Sequence, residues 1–133
     1  MVRAKVSCNL IGEKFSPGKL EKKIKYIFND KIEVGDIGLK GRYKDKPIPY
    51  GSVEIYPPEE LRYEHEIAQL DWIIEFLEKN KVQISKSNID DIKIMVSIFY
   101  ETQCDMSFDS ELLKRIGDLK LDLNICCFNT IGK

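Results

Sequence analysis

The sequence predicts an α+β fold with about five strands and three helices in a single domain that spans residues 1–133. Three observations predict it. Several segments alternate apolar and polar residues, other segments repeat apolar residues at helical spacing after capping residues, and the length suits one compact core. Pro and Gly number only 5 and 8, so low-complexity and disordered classes are excluded.

Five segments have the composition of β-strands. Residues 4–10 alternate apolar and polar side chains, as a half-buried strand does. An irregular strand is predicted over residues 32–39 and a regular one over residues 53–55. Residues 92–100 carry apolar side chains on both faces, which predicts a central strand. Residues 121–127 alternate again and are predicted to be the last strand.

Proline positions indicate where two of the helices begin. The dipeptide Ser16-Pro17 supplies an N-cap and a proline at the first helical position, for a helix that is predicted to end near Asn29. The dipeptide Pro57-Pro58 opens a longer helix over about residues 59–79, because proline is tolerated only in the first turn. The polar residues 83–90 are predicted to be a linker.

The third helix belongs to an apparent internal repeat. Asp109 or Ser110 is predicted to cap it, and Gly117 to end it. Residues 96–113 echo residues 6–20, since both segments read as a strand, a loop with a Phe, and a capped helix. We therefore predict a duplication of strand-helix-strand halves, joined by the third strand and the long helix.

The charge is balanced in total and uneven along the chain. There are 21 Lys and Arg against 22 Asp and Glu, which gives a formal net charge of -1. Residues 1–50 hold 12 basic and 6 acidic residues, whereas residues 51–133 hold 9 and 16. The balanced total argues against a dedicated nucleic-acid binder, which normally carries a basic excess.

The chain carries no recognisable export or membrane signal. The first eight residues are interrupted by charge, unlike a signal peptide, and no apolar stretch approaches the ~20 residues that cross a bilayer. These features predict a cytoplasmic protein with no membrane partner.

Four cysteines, Cys8, Cys104, Cys126 and Cys127, match neither a zinc knuckle nor a dense disulfide framework. We expect reduced, buried thiols, with a metal, redox or disulfide role as the alternative. Cys126 and Cys127 would point to opposite faces of a strand, so one is predicted to lie in the core.

Several of these segments, taken together, resemble a known bacterial family. The features are Phe15-Ser16-Pro17 with its helix, the loop 41–49, the strand Gly51-Ser52-Val53-Glu54, the acidic helix at Glu64-His65, the run 106–113, Gly117, and residues 121–125. The chain is similar along nearly its whole length to the family of unknown function numbered 4279. It departs at Tyr50 and Val53, where a tryptophan is typical, and at Asp109-Ser110, where Ser-Pro is typical. The resemblance implies a small α+β protein with no established activity.

The sequence carries little that indicates catalysis. His65 is the single histidine, and its sequence neighbours Glu64 and Glu66 diverge around a helix, so no oriented acid-base pair is formed. Asp90-Asp91 favours a turn over a cation site. Phosphate-binding and nucleophile-elbow motifs are missing from the sequence. We therefore predict a non-enzyme with no catalytic residues, no metal site and no cofactor.

The leading functional hypothesis concerns the acidic helix. Its predicted core stripe is Ile67, Leu70, Ile73, Ile74 and Leu77. The aromatic residues on the opposite arc, next to carboxylates, predict a site for a basic protein partner at Asp71, Trp72, Glu75 and Phe76. An immunity protein that neutralises a bacterial toxin is one version. The alternatives are that the chain itself covers the aromatic pair, or that a homodimer does; the chain is thus expected to be a monomer or homodimer.

A basic loop supports a second hypothesis. It carries an aromatic ring among cations that could bind RNA or a small anion, in a regulatory domain. The residues of this alternative anion site are Lys40, Arg42, Tyr43, Lys44 and Lys46. A solvated loop or a protein contact is the competing interpretation, and nucleic acid is the less expected partner because the acidic helix would repel it unless it lies on the opposite face.

Overall fold

A computed structural model describes residues 3–62 and 65–131. The strands are β1 (Arg3–Gly12), β2 (Asp30–Ile32), β3 (Gly51–Ile55), β4 (Asp91–Tyr100) and β5 (Leu123–Asn129). The helices are α1 (Pro17–Ile24), α2 (Glu66–Lys79), α3 (Lys81–Ser85) and α4 (Ser110–Asp118). Short 3₁₀ turns occupy Gly41–Tyr43 and Glu59–Leu61. None of the described helices is long and apolar enough to cross a membrane.

The strands form one mixed sheet in the order β2-β3-β1-β4-β5. β2 and β3 are antiparallel, whereas β4 and β5 are parallel. The predicted α+β class with five strands is confirmed. The three helices of eight or more residues correspond to the three predicted ones, and α3 overlaps the start of the predicted polar linker 83–90.

The described chain divides into two compact units, with boundaries that fall within β1, after β3, at the end of α2 and near the start of β4. The first unit contains the chain up to Cys8, Tyr56–Glu78, and the chain from Lys93 onward. The second unit contains Asn9–Ile55 and Lys79–Ile92.

Apolar side chains of β4 and α2 dominate the core of the first unit. Leu70, Ile73, Ile74 and Leu77 of the predicted core stripe are buried, and Ile67 is half-buried. Ile94, Val96 and Ile98 of β4 are buried as well, as the alternation in this strand predicts. Burial of side chains of this size contributes about 1.5–3 kcal/mol each, so α2 and β4 are the main source of stability in this unit.

The first helix of the second unit, α1, has a well-formed N-terminal cap. Ser16 accepts a hydrogen bond from the Lys19 N–H at 3.3 Å, and Pro17 is the first helical residue, as predicted. The predicted end near Asn29 is wrong, because Lys25 adopts a left-handed conformation with φ of 55° and ends the helix at Ile24. Ile27 is therefore 80% exposed instead of lying on the core stripe.

The boundaries of two other predicted elements are also wrong. The irregular strand over residues 32–39 is reduced to the end of β2, and Val34, Ile37 and Leu39 are exposed. The long helix begins at Glu66, while residues 63–64 of the predicted helix lie outside the described residues.

At the other end of the chain, Asp109 caps α4 by accepting from the Leu112 N–H at 2.8 Å, as predicted. Gly117 lies inside α4 instead of ending it. The C-cap is Leu119, and Lys120, not glycine, has the positive φ of 59°.

The two strand-helix-strand halves have different sheet arrangements. β4 and β5, which flank α4, are neighbours and parallel. β1 and β2, which flank α1, are separated by β3. The predicted repeat is therefore present in the order of elements and not in their positions in the sheet.

Candidate functional site

The segment 33–50 between β2 and β3 is a loop that folds back on itself. The Gly38 N–H donates to the Lys46 carbonyl at 3.0 Å, and the Asp45 N–H donates to the Gly38 carbonyl at 2.9 Å. A Cβ atom at position 38 would collide with the Tyr43 carbonyl oxygen. A glycine is therefore required where the two arms of the loop approach each other.

The start of this loop is tied to the first turn of α1. The Glu33 carboxylate accepts hydrogen bonds from the Ser16 hydroxyl at 2.6 Å and from the Gly18 N–H at 3.2 Å. The Asp36 carboxylate in turn accepts from the Glu33 N–H at 2.9 Å. Bonds to carboxylates are stronger than neutral ones, so the loop is held in place before any ligand arrives.

A cavity of about 710 Å³ opens between this loop and the polar side of β2 and β3, within the second unit. Its floor is formed by side chains of strands β1, β2 and β3, namely Asn9, Asp30, Ile32, Ser52 and Glu54. Its walls come from the loop and include Ile37, Leu39, Lys40, Arg42, Tyr43, Ile48 and Tyr50. The volume lies within the range of about 300–1,000 Å³ that small-molecule sites occupy.

Two carboxylates lie side by side on the floor of this cavity. Asp30 of β2 and Glu54 of β3 are direct cross-strand partners, so they share one face of the sheet. Neither forms an ion pair with a basic side chain of the described chain. Like charges in directly opposed positions destabilise a sheet, so a cation placed between Asp30 and Glu54 would offset their repulsion.

Aromatic rings form part of the cavity wall. The Tyr43 and Tyr50 rings meet edge to face, with centroids 6.0 Å apart and an interplanar angle of 76°. The Arg42 guanidinium carbon lies 5.7 Å from the centroid of the Tyr43 ring. The cavity thus combines an acidic floor, an aromatic wall and three basic groups, Lys31, Lys40 and Arg42, of which Lys31 is paired with Glu21.

The structure separates the five residues of the predicted anion site. Lys40, Arg42 and Tyr43 line the cavity, whereas Lys44 and Lys46 are exposed loop residues that do not line it. Sequence reasoning missed Asp30 and Glu54. The position of Glu54 on the polar side of an alternating strand was a signal, but its pairing with Asp30 depends on a strand register that the sequence does not state.

The four residues of the predicted partner site on α2 do not form one exposed cluster. Arg115 of α4 bonds to the Asp71 carboxylate at 2.6 Å and to the Glu78 carboxylate at 2.7 Å. The Trp72 and Phe76 rings stack with centroids 5.5 Å apart, but Phe76 is only 8% exposed and Trp72 is half-buried. Glu75 is the exposed member of the four.

The Arg115 ion pair predicts a pH-dependent contribution to stability. Hydrogen bonds that Arg115 donates lower the pKa of Glu78 below its usual 4.5, and donating them to Glu78 and Asp71 raises the pKa of Arg115. A carboxyl group whose pKa is lower in the folded state stabilises the protein at any pH above its pKa in the unfolded state. This stabilisation is lost as the pH falls through the pKa in the folded state. We expect Glu78→Gln to cost about 0.5–1 kcal/mol at pH 7, since the pair is partly solvated, and progressively less below pH 4.5.

Urea denaturation of both proteins from pH 7 downward measures this difference. Glu75→Gln removes the same charge from an exposed position of the same helix and should have little effect at any pH. A cost for Glu78→Gln that stays constant with pH would show that the charge of Glu78 does not matter.

His65 and the cysteines show no catalytic arrangement. His65 precedes α2, and its Nδ1 accepts from the Ile67 N–H at 3.2 Å, which is a capping contact. Cys8 is buried, Cys126 half-buried and Cys127 exposed, so neither member of the adjacent pair is the core residue that was predicted. Partial burial, and to a smaller extent the nearby Cys127, raise the pKa of the Cys104 thiol. A raised thiol pKa disfavours a reactive thiolate. The described residues contain no group of three or more His, Cys, Asp or Glu side chains placed to hold a metal.

Comparisons of the chain with models of protein families, with curated proteins and with solved structures find no match. The resemblance to the family numbered 4279 stays a prediction. The function of the cavity is inferred from its own geometry.

Proposed function

We propose that this protein is a binding domain for a small zwitterionic molecule that carries an amine, a flat or apolar body and an anionic group. The observation that carries the proposal is the pair of opposed carboxylates, Asp30 and Glu54, on the floor of a cavity with an aromatic wall. An amine between them would relieve their mutual repulsion and gain attraction from both.

The walls suit the rest of such a ligand. Tyr43 and Tyr50 offer aromatic surface for a flat or apolar group, and a cation over such a ring gains about 0.5–2 kcal/mol. Lys40 and Arg42 supply positive charge to the same cavity, which suits a carboxylate or phosphate. The anion-binding hypothesis for these two residues is thus retained for the second end of the ligand.

Three probes that share a phenyl ring separate these contributions. L-phenylalanine carries both charges, 2-phenylethylamine carries the amine alone, and 3-phenylpropionate carries the carboxylate alone. In a titration followed by amide NMR shifts, we expect L-phenylalanine to bind most tightly and 3-phenylpropionate least. Saturable shifts should map to residues 30–54.

Variants of the floor provide the matched test. The double variant Asp30→Asn, Glu54→Gln should weaken binding of both amines by about 10-fold or more, or about 1.4 kcal/mol. Asp91→Asn with Glu101→Gln removes two exposed acids elsewhere and should leave binding unchanged. Tightest binding of 3-phenylpropionate, or no saturable shift with any probe up to roughly 10 mM, a limit of about −2.7 kcal/mol, would overturn the proposal.

A further inference from the structure

The strand β5 lies at one edge of the sheet, with β4 as its neighbour among the described strands. The Thr130 N–H, directly after β5, donates to the Tyr100 carbonyl of β4 at 2.8 Å. Because backbone groups alternate in direction along a strand, the even-numbered residues of β5 point their N–H and C=O groups toward β4. Those of Leu123, Ile125 and Cys127 therefore point away from the sheet. Among the described residues these outward groups have no backbone partner, and such a row is a template for another strand.

The composition of β5 leaves this edge unprotected. Its seven residues, LNICCFN, contain no charged residue, no proline and no glycine. Edge strands of soluble proteins are often protected by a charged residue, a lysine above all, or by a proline. β5 carries neither, so its edge is open to pairing with another strand.

The exposed apolar surface of the first unit is concentrated around the same strand. The large apolar side chains that are exposed in the described part of this unit are Leu113, Ile125, Phe128 and Ile131. They belong to α4, to β5 and to the residue two positions after it. Ile125 and Phe128 belong to the edge strand itself, and exposed apolar side chains on an open edge favour an interface.

We propose that β5 pairs antiparallel with β5 of a second copy of this chain and so forms a two-fold symmetric dimer with a continuous sheet. A two-fold axis through the middle of the strand sets each Cys126 opposite the other, Ile125 opposite Cys127, and Asn124 opposite Phe128. This register pairs all seven residues. It also joins the odd-numbered residues, whose backbone groups point outward, to one another, as an antiparallel ladder requires.

A second copy of this chain is the partner because β5 is complementary to itself. A two-fold interface brings a surface against itself, so a charge near the two-fold axis lies close to its own copy. Like charges in opposed positions destabilise paired strands. β5 carries no charge, so its pairing with itself meets no such repulsion.

The oligomeric state in solution tests the dimer. Sedimentation velocity over a concentration series should give a species of twice 15.4 kDa that dissociates on dilution. Ile125→Lys places a charge at the edge and should raise the dimer dissociation constant by about 10-fold or more. Val82→Lys introduces the same charge at an exposed apolar position of the second unit and should leave the dimer unchanged. Circular dichroism checks that both variants fold.

Cysteine cross-linking tests the register. Opposed residues that do not exchange backbone hydrogen bonds have Cα atoms about 4.5 Å apart, within the range of disulfides. With oxidised glutathione, the two Cys126 thiols lose two electrons and two protons, and the glutathione disulfide becomes two thiols. Cys127→Ser should still give the covalent dimer, and Cys126→Ser should lose it.

Three results would overturn the proposal. One is a monomer at every concentration. Another is a dimer that persists unchanged in Ile125→Lys, which would place the contact elsewhere, for example at Trp72 and Phe76. The third is a cross-link that forms through Cys127 and survives in Cys126→Ser, which would exclude the register.

Discussion

Replacement of Gln69 by leucine is expected to lower the free energy of unfolding by about 2–4 kcal/mol. Gln69 lies on α2 and is completely buried. Its Oε1 accepts from the Val6 N–H at 3.1 Å, and its Nε2 donates to the Ala4 carbonyl at 2.9 Å. Leucine has similar size but cannot bond, so two backbone groups of β1 would lose their partners inside the protein. Each unsatisfied buried group costs about 1–3 kcal/mol.

Urea denaturation, with the midpoint and slope compared to the parent protein, measures the loss. Gln83→Leu is the matched control, because Gln83 is a half-buried glutamine on a helix with no side-chain hydrogen bond to the described residues. We expect it to change stability by less than about 0.5 kcal/mol. A loss of the same small size for Gln69→Leu would contradict the role of its amide as the partner of β1.

Gly51→Ala is expected to destabilise the protein by about 3 kcal/mol or more. Gly51 begins β3, and a Cβ atom there would overlap the Phe15 carbonyl oxygen and lie 3.3 Å from Pro17 Cδ. The opposing backbone cannot yield easily, because Phe15 is fully buried and Ser16 and Pro17 begin α1. The penalty is therefore steric and does not depend on a positive φ.

Gly117→Ala is a control that should change the free energy of unfolding in the opposite direction. Gly117 lies within α4, and no atom would come within 4 Å of its added Cβ. Alanine is the better helix former by about 0.5–1 kcal/mol, so this variant should be stabilised. Thermal unfolding of both variants measures the pair of effects, and an unchanged melting temperature for Gly51→Ala would refute the close approach.

Local signals in the sequence predicted where most elements begin. The caps Ser16 and Asp109 are short-range features, because a side chain bonds to an N–H three residues later, and both are confirmed. The apolar faces of α2 and β4 were also predictable, because the periodicity of apolar residues is a short-range feature too. Helix ends were less predictable, since Lys25 ends α1 in a conformation that favours glycine.

The candidate site was only partly predictable. Lys40, Arg42 and Tyr43 were recognisable as a basic segment with an aromatic ring, because they are close in sequence. Asp30 and Glu54 are 24 positions apart and become neighbours through the register of β2 and β3. Their meeting depends on strand pairing, which arises from contacts distant in sequence and is not encoded in any local pattern.

For the acidic helix too, some properties were predictable from the sequence and others depended on the tertiary structure. The sequence by itself determined that α2 is rich in carboxylates and that one of its faces is apolar. Only the tertiary structure decided that Arg115 of α4 bonds to Asp71 and Glu78, and that Phe76 is buried. The physical reason is that periodicity and composition act within one element, whereas an ion pair, a cavity floor or an open strand edge exists only once separate elements have been placed side by side.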